Sequence, residues 1–199
     1  MTPEDFFHEE LNLGDPETRA VWEAVLADAE CRQSLANKIG VFLGHFCEDA
    51  AALDLRKRGF TVVKHPNGQK NSPDLEIKQD GQTYWIEHKN CSAGSYGEVK
   101  EGKVPLRNYK HSYRNADDSN TTANLYYEDQ SDENKVCLLG VCTYPLTKKF
   151  TWSYSAYRDL PKHPKHPGKV ASSLRIPIDP AQDDAWTTDL NDIIERKTK

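Results

Sequence analysis

Apolar and polar residues alternate most cleanly from Ser72 to Asn90, in SPDLEIKQDGQTYWIEHKN. Two runs of period two flank an Asp80-Gly81 pair, the strongest short-range signal for a β-hairpin. A two-residue loop at that pair makes Gln79 face Gln82 and fixes every other partner. Leu75, Ile77, Tyr84 and Ile86 then share one face and supply a core. On the other face Asp74 sits opposite Glu87, and Lys89 follows one pleat later. Glu76 shares the face of Asp74 but lies opposite Trp85, which makes it a supporting residue.

The pattern elsewhere predicts a mixed layer. DPETRAVWEAVLADAECRQSLANKIG reads as a helix opened by an Asp-Pro pair and ended near Gly40. VFLGHFCEDAAALDLRKRG gives a second helix, with Phe42, Phe46, Ala50, Leu53 and Leu55 as its apolar stripe. Its last turn is basic (Arg56, Lys57, Arg58) and Gly59 is placed to cap it. FTVVK is a short strand. KVCLLGVCTY is apolar on both faces, as a central strand is, and KKFTWSYSAY alternates as another, with Trp152 and Tyr154 on its core side. Residues 91–134 are polar and predict a mixture of helix and loop. The fold class is therefore α/β (α+β): a mixed central β-sheet flanked by helices, with a helical extension at the N-terminus.

A length of 199 residues suits one domain over 1–199. Within it, 1–39 form the extension, 40–157 the core and 158–199 a basic loop with a C-terminal tail. The apolar fraction is low at 37%, but four Trp, nine Tyr and six Phe oppose wholesale disorder. Five scattered cysteines without a Cys-x-x-Cys pair oppose a disulfide framework or a zinc knuckle. An acidic start and no apolar run of membrane-spanning length predict a soluble, reduced, cytoplasmic chain without membrane contact. Net charge is −5, yet residues 148–175 hold seven bases against one acid. Such asymmetry suits a face for a polyanion, and equally a plain solvated surface.

Two carboxylates facing each other across a hairpin repel, at a cost to the sheet. A divalent cation between them removes the conflict. Pro73-Asp74 followed by Glu87-His88-Lys89 resembles the motif of the PD-(D/E)XK nuclease superfamily, and Glu48, on the helix before the first core strand, matches its additional acid. The resemblance covers about residues 40–145 and is nearest to small restriction-endonuclease-like proteins. It implies a Mg²⁺ site, with Mn²⁺ as a substitute, held by Asp74, Glu87 and the backbone carbonyl of His88, with Glu48 holding a metal-bound water or a second ion. It implies that Lys89 orients or deprotonates a water and stabilises charge at phosphorus.

The bland alternatives are an ordinary ion pair for Lys89, a solvated helix position for Glu48 and a packed core histidine for His88. Lys162, Lys165 and Lys169, around KHPKHP, are candidate phosphate contacts, as are Arg107 and Lys110, though a charged surface explains them too. The leading expectation is a metal-dependent endonuclease acting on double-stranded DNA in restriction or phage defence. A repair or junction nuclease differs from it only in substrate. The alternative class is a nucleic-acid-binding subunit that keeps the fold without useful catalysis. Two-fold cutting of a duplex would call for a homodimer or two binding events.

Overall fold

A computed structural model describes residues 14–66, 72–91, 99–107, 135–147, 149–162, 164, 170–171 and 173–197. The chain divides into two compact units, residues 1–43 and 44–199. In the first, helix α1 (Pro16–Ala27) starts where the Asp15 carboxylate accepts from the Thr18 backbone N–H at 2.8 Å. This is an N-cap followed by proline at the first helical position. Asp28 stops α1 with extended backbone, and its own carboxylate then accepts from Cys31 N–H at 2.7 Å to open helix α2 (Ala29–Lys57). The helix boundary therefore lies at Asp28, and Gly40, expected as a terminus, lies inside α2.

In the second unit, α2 ends as its sequence predicts. Gly59 adopts φ +94°, Phe60 N–H donates to Leu55 O at 3.1 Å, and Gly59 N–H donates to Arg56 O at 3.0 Å. That pair of bonds is a Schellman cap. Strands β1 (Thr61–Lys64), β2 (Leu75–Gln79), β3 (Gln82–Asn90), β5 (Lys135–Cys142) and β6 (Trp152–Ala156) form a mixed sheet in the order β1-β2-β3-β5-β6. The β3–β5 pair is parallel and the others are antiparallel. Strands β4 (Lys103–Arg107) and β7 (Ser173–Pro177) pair as a separate antiparallel ribbon. A four-residue helix α3 (Tyr144–Thr147) follows β5, and α4 (Leu190–Lys197) closes the described chain.

The central strand β5 is apolar on both faces and alternates between two clusters. Val136, Leu138 and Cys142 join Leu75, Ile77, Tyr84, Ile86, Trp152 and Tyr154 beneath helices α2 and α4. Leu139 and Val141 join Val104, Leu106, Leu174 and Ile176 of the ribbon, with Tyr157 and Trp186. This is the expected α+β architecture of a mixed sheet flanked by helices. Trp152 and Tyr154 are core residues, as their spacing predicts.

Two expectations are corrected. The buried stripe of α2 is Cys47, Ala51, Ala52 and Leu55, whereas Phe42, Phe46 and Leu53 are exposed. Small side chains let the helix lie close to the sheet, so the large apolar residues take other positions. Residues 158–199, expected as loop and tail, contribute β7 and α4, and α4 buries Leu190, Ile193 and Ile194. Among the described residues, no helix is long and apolar enough to cross a membrane.

Candidate active site

The β2–β3 hairpin sets the site. Asp80 and Gly81 both take positive φ, +51° and +76°. That is the type I′ turn whose twist matches antiparallel strands. Leu75 pairs with Ile86, Glu76 with Trp85 and Gln79 with Gln82, the register the sequence predicts. Asp74 directly precedes β2, in line with Glu87. Its backbone carbonyl accepts from His65 N–H at 3.0 Å, and its Oδ2 accepts from His88 N–H at 2.7 Å. His65 thus anchors the backbone of Asp74, and His88 N–H on β3 holds its carboxylate.

Glu87 is a buried acid, with 1% of its side chain exposed. Lys89 Nζ pairs with Glu87 Oε1 and donates to the His88 carbonyl at 3.1 Å. Burial alone would lower the pKa of the Lys89 ammonium. The negative charges of Glu87, Asp74 and Glu48 outweigh that effect and raise it above its ordinary value. Lys89 is therefore a firmly charged cation among three acids. Glu48 is pushed above the usual carboxylate range, first by burial and then by the charge of Asp74. Its Oε2 is buried, with His45 Nδ1 at 3.5 Å. Glu48, Asp74, Glu87 and Lys89 thus influence one another electrostatically.

His88 turns its ring to the opposite, apolar face. It lies edge-on to Tyr154 with centroids 6.3 Å apart, and burial lowers its pKa to about 3. Gly140, its register partner on β5, leaves room for the ring, since a Cβ there would lie 2.8 Å from His88 Nε2. His88 is thus a neutral core histidine whose backbone serves the site.

Glu76 is held by three groups: Trp85 Nε1 at 3.1 Å, Lys78 Nζ at 3.3 Å and His65 Nε2 at 3.5 Å. Two imidazoles, His45 and His65, are neighbours of the site that the motif and the hairpin pattern do not single out. His45 is legible as an i, i+3 partner of Glu48 on one helix. His65 requires the β1–β2 register, in which Lys64 pairs with Leu75.

The donors available to a cation are carboxylate and carbonyl oxygens. Such hard donors suit Mg²⁺ or Mn²⁺. The electrostatic strain on Glu48 is of the kind that a cation relieves. Among the described residues, no three His, Cys, Asp or Glu side chains close around a single point. The fit therefore rests on the donor chemistry of the Asp74 and Glu87 carboxylates alone.

The expected phosphate contacts are less gathered. Lys162 is exposed and makes an isolated bridge to Val170, with its Nζ 3.4 Å from the Tyr157 carbonyl. Arg107 ends β4 opposite Ser173. Lys110, Lys165 and Lys169 lie outside the described residues.

No protein-family model and no curated protein sequence matches this chain. Among solved structures it is similar to Hjc of Archaeoglobus fulgidus, a Holliday junction resolvase from an archaeal hyperthermophile. The identity is 14% and the TM-score 0.40, over 68% of this chain and 88% of that one. A likeness of this degree assigns neither activity nor ligand.

Proposed function

We propose that this chain is a metal-dependent endonuclease that hydrolyses DNA phosphodiester bonds. The observation that carries the reading is the convergence of Asp74, Glu87 and Lys89 across the β2–β3 hairpin, with Glu48 within electrostatic reach. A buried lysine ringed by acids has little structural purpose, because an apolar pair of similar volume would serve the sheet as well. Asp74, Glu87 and the His88 carbonyl would hold Mg²⁺, or Mn²⁺ in its place. The cation, when bound, supplies charge neutralisation at the phosphate and makes water more acidic. Glu48 orients the attacking water. The Lys89 ammonium stabilises the charge that grows on the phosphate oxygens, which is electrostatic catalysis by a preset group. His88 N–H keeps Asp74 aimed at the site.

Restriction or phage defence is the role suggested by the sequence resemblance, with duplex DNA as substrate. The test is incubation with plasmid, single-stranded and branched DNA, in Mg²⁺ or EDTA. Plasmid cleavage that EDTA abolishes is expected. Cleavage confined to branched DNA would move the role to junction processing. Stable binding with no cleavage in Mg²⁺ or Mn²⁺ would replace the enzyme with a binding subunit.

The basic stretch 148–175 is the proposed phosphate surface, with Arg107 and Lys110 as further contacts. Changing Lys162, Lys165 and Lys169 to Ala should weaken DNA binding and flatten its salt dependence by about one unit of slope per lost contact. An unchanged slope would remove these residues from the interface.

A further inference from the structure

No disulfide joins the described cysteines, but two of them meet. Cys47, on α2, and Cys142, the last residue of β5, lie 95 positions apart in sequence. Both are fully buried, and their sulfurs stand 3.0 Å apart. A disulfide needs about 2.05 Å, so each sulfur has to move by only about half an ångström. We propose that Cys47 and Cys142 form a reversible thiol–disulfide staple that hydrogen peroxide closes, tying α2 to β5 directly behind the acidic site.

The position gives the staple its meaning. Cys47 immediately precedes Glu48, and Cys142 is the register partner of Asn90, which follows Lys89. The bond would therefore fix the helix that carries one acid against the strand paired with the lysine. It does not depend on the nuclease reading.

The chemistry balances with peroxide as the oxidant. The Cys142 thiolate attacks one peroxide oxygen, breaking the O–O bond to give a sulfenic acid, with hydroxide leaving and being protonated to water. The Cys47 sulfur then attacks the Cys142 sulfur and displaces the sulfenic oxygen as a second water, which takes up the Cys47 proton. Two thiols are oxidised and one peroxide is reduced. Both sulfurs are buried, so a small oxidant has the advantage over a bulky disulfide reagent.

The full chain, reduced and freed of reductant, is exposed to peroxide, denatured, alkylated and digested for mass spectrometry. The expected result is a cross-linked peptide pair joining residues 47 and 142 that dithiothreitol separates. Tm should rise by about 10–20 °C, because the closed loop is long. Cys142→Ala should lose both responses, and the wild-type peptide map stands alone if that variant does not fold. The proposal is overturned if Cys47 and Cys142 are alkylated in full while exposed Cys31 is oxidised. A Cys91–Cys142 cross-link, or sulfinic acids without any cross-link, would overturn it equally.

Discussion

Two lysine–carboxylate pairs in this molecule share a chemistry and differ in setting. Lys103 and Asp183 meet at 2.6 Å, with side chains 36% and 23% exposed. Lys89 and Glu87 meet with side chains 19% and 1% exposed. The first pair joins β4 to the turn after β7, and Asp183 also accepts from Ala185 N–H at 3.1 Å. The pair is partly exposed, so its charges are less costly to form and the link is a modest clasp. The second lies where charges are expensive, and two further acids crowd it. Geometry alone would rank the two alike. Burial separates them and marks the pair on β3 as the one that needs a reason beyond stability.

The largest effect should come from separating the two roles of the β3 pair. Lys89→Ala should lower cleavage by on the order of 10² or more, the scale for losing a preset charge in a transition state. It should also cost about 3 kcal/mol of stability, because Glu87 is left buried without its cation. Joining Lys89→Met to Glu87→Gln should return most of that stability and none of the cleavage. Denaturant unfolding and a plasmid assay read the two outcomes separately. Wild-type cleavage by the double variant would reduce the pair to a structural element. Lys89→Arg should keep the charge but restore cleavage poorly, since a planar guanidinium fills the space differently.

A smaller effect tests why the acids are gathered. Binding of a cation between Asp74 and Glu87 should stabilise the folded chain by about 2.7 kcal/mol at a hundredfold excess over Kd. For a chain of this size that is a rise of roughly 5–10 °C in Tm. Asp74→Asn should keep the fold, because an amide oxygen can still accept from His88 N–H, and should lose the response. A wild-type Tm indifferent to millimolar Mg²⁺ or Ca²⁺ would remove the cation and leave the acids unexplained. The exposed clasp supplies the control, since Asp183→Asn should leave any Mg²⁺ response intact.

The contrast also shows what a sequence discloses. The Asp80-Gly81 turn is local, and once its type is known every hairpin partner follows. Counting outward from that turn is enough to put Asp74, Glu87 and Lys89 on one face. Glu48 follows from its helix preceding β1. The Lys103–Asp183 clasp is illegible because it depends on the β4–β7 ribbon. Its strands are five residues each, both contain proline, and they pair across about seventy positions of chain. No short-range signal announces such a pairing. The stripe on α2 misleads for another reason. Size marks Phe42, Phe46 and Leu53 as core, whereas the sheet admits the small residues Cys47, Ala51 and Ala52. At Asp28 a single residue ends one helix with its backbone and opens the next with its carboxylate, a signal that is weak beside a glycine twelve residues later.

The smallest effect belongs to the clasp and completes the comparison. Hydrogen bonding from Lys103, ahead of that from Ala185, holds Asp183 below the usual carboxylate range. A carboxylate with a depressed folded-state pKa contributes stability above its unfolded value of about 4, and loses it as pH falls through the lower folded value. Lys103→Ala should therefore cost less than about 1 kcal/mol at neutral pH, given the exposure of both side chains. The gap between variant and wild type should begin to close below about pH 4 and vanish only below the lower folded value, where Asp183 is neutral in both. Added salt should narrow the same gap, because an exposed pair is screened. Unfolding curves at neutral and acid pH, each in low and high salt, measure this directly. A loss of several kcal/mol that salt leaves untouched would mean that Lys103–Asp183 behaves like a buried pair, and burial would then fail as the property that sets Glu87 and Lys89 apart.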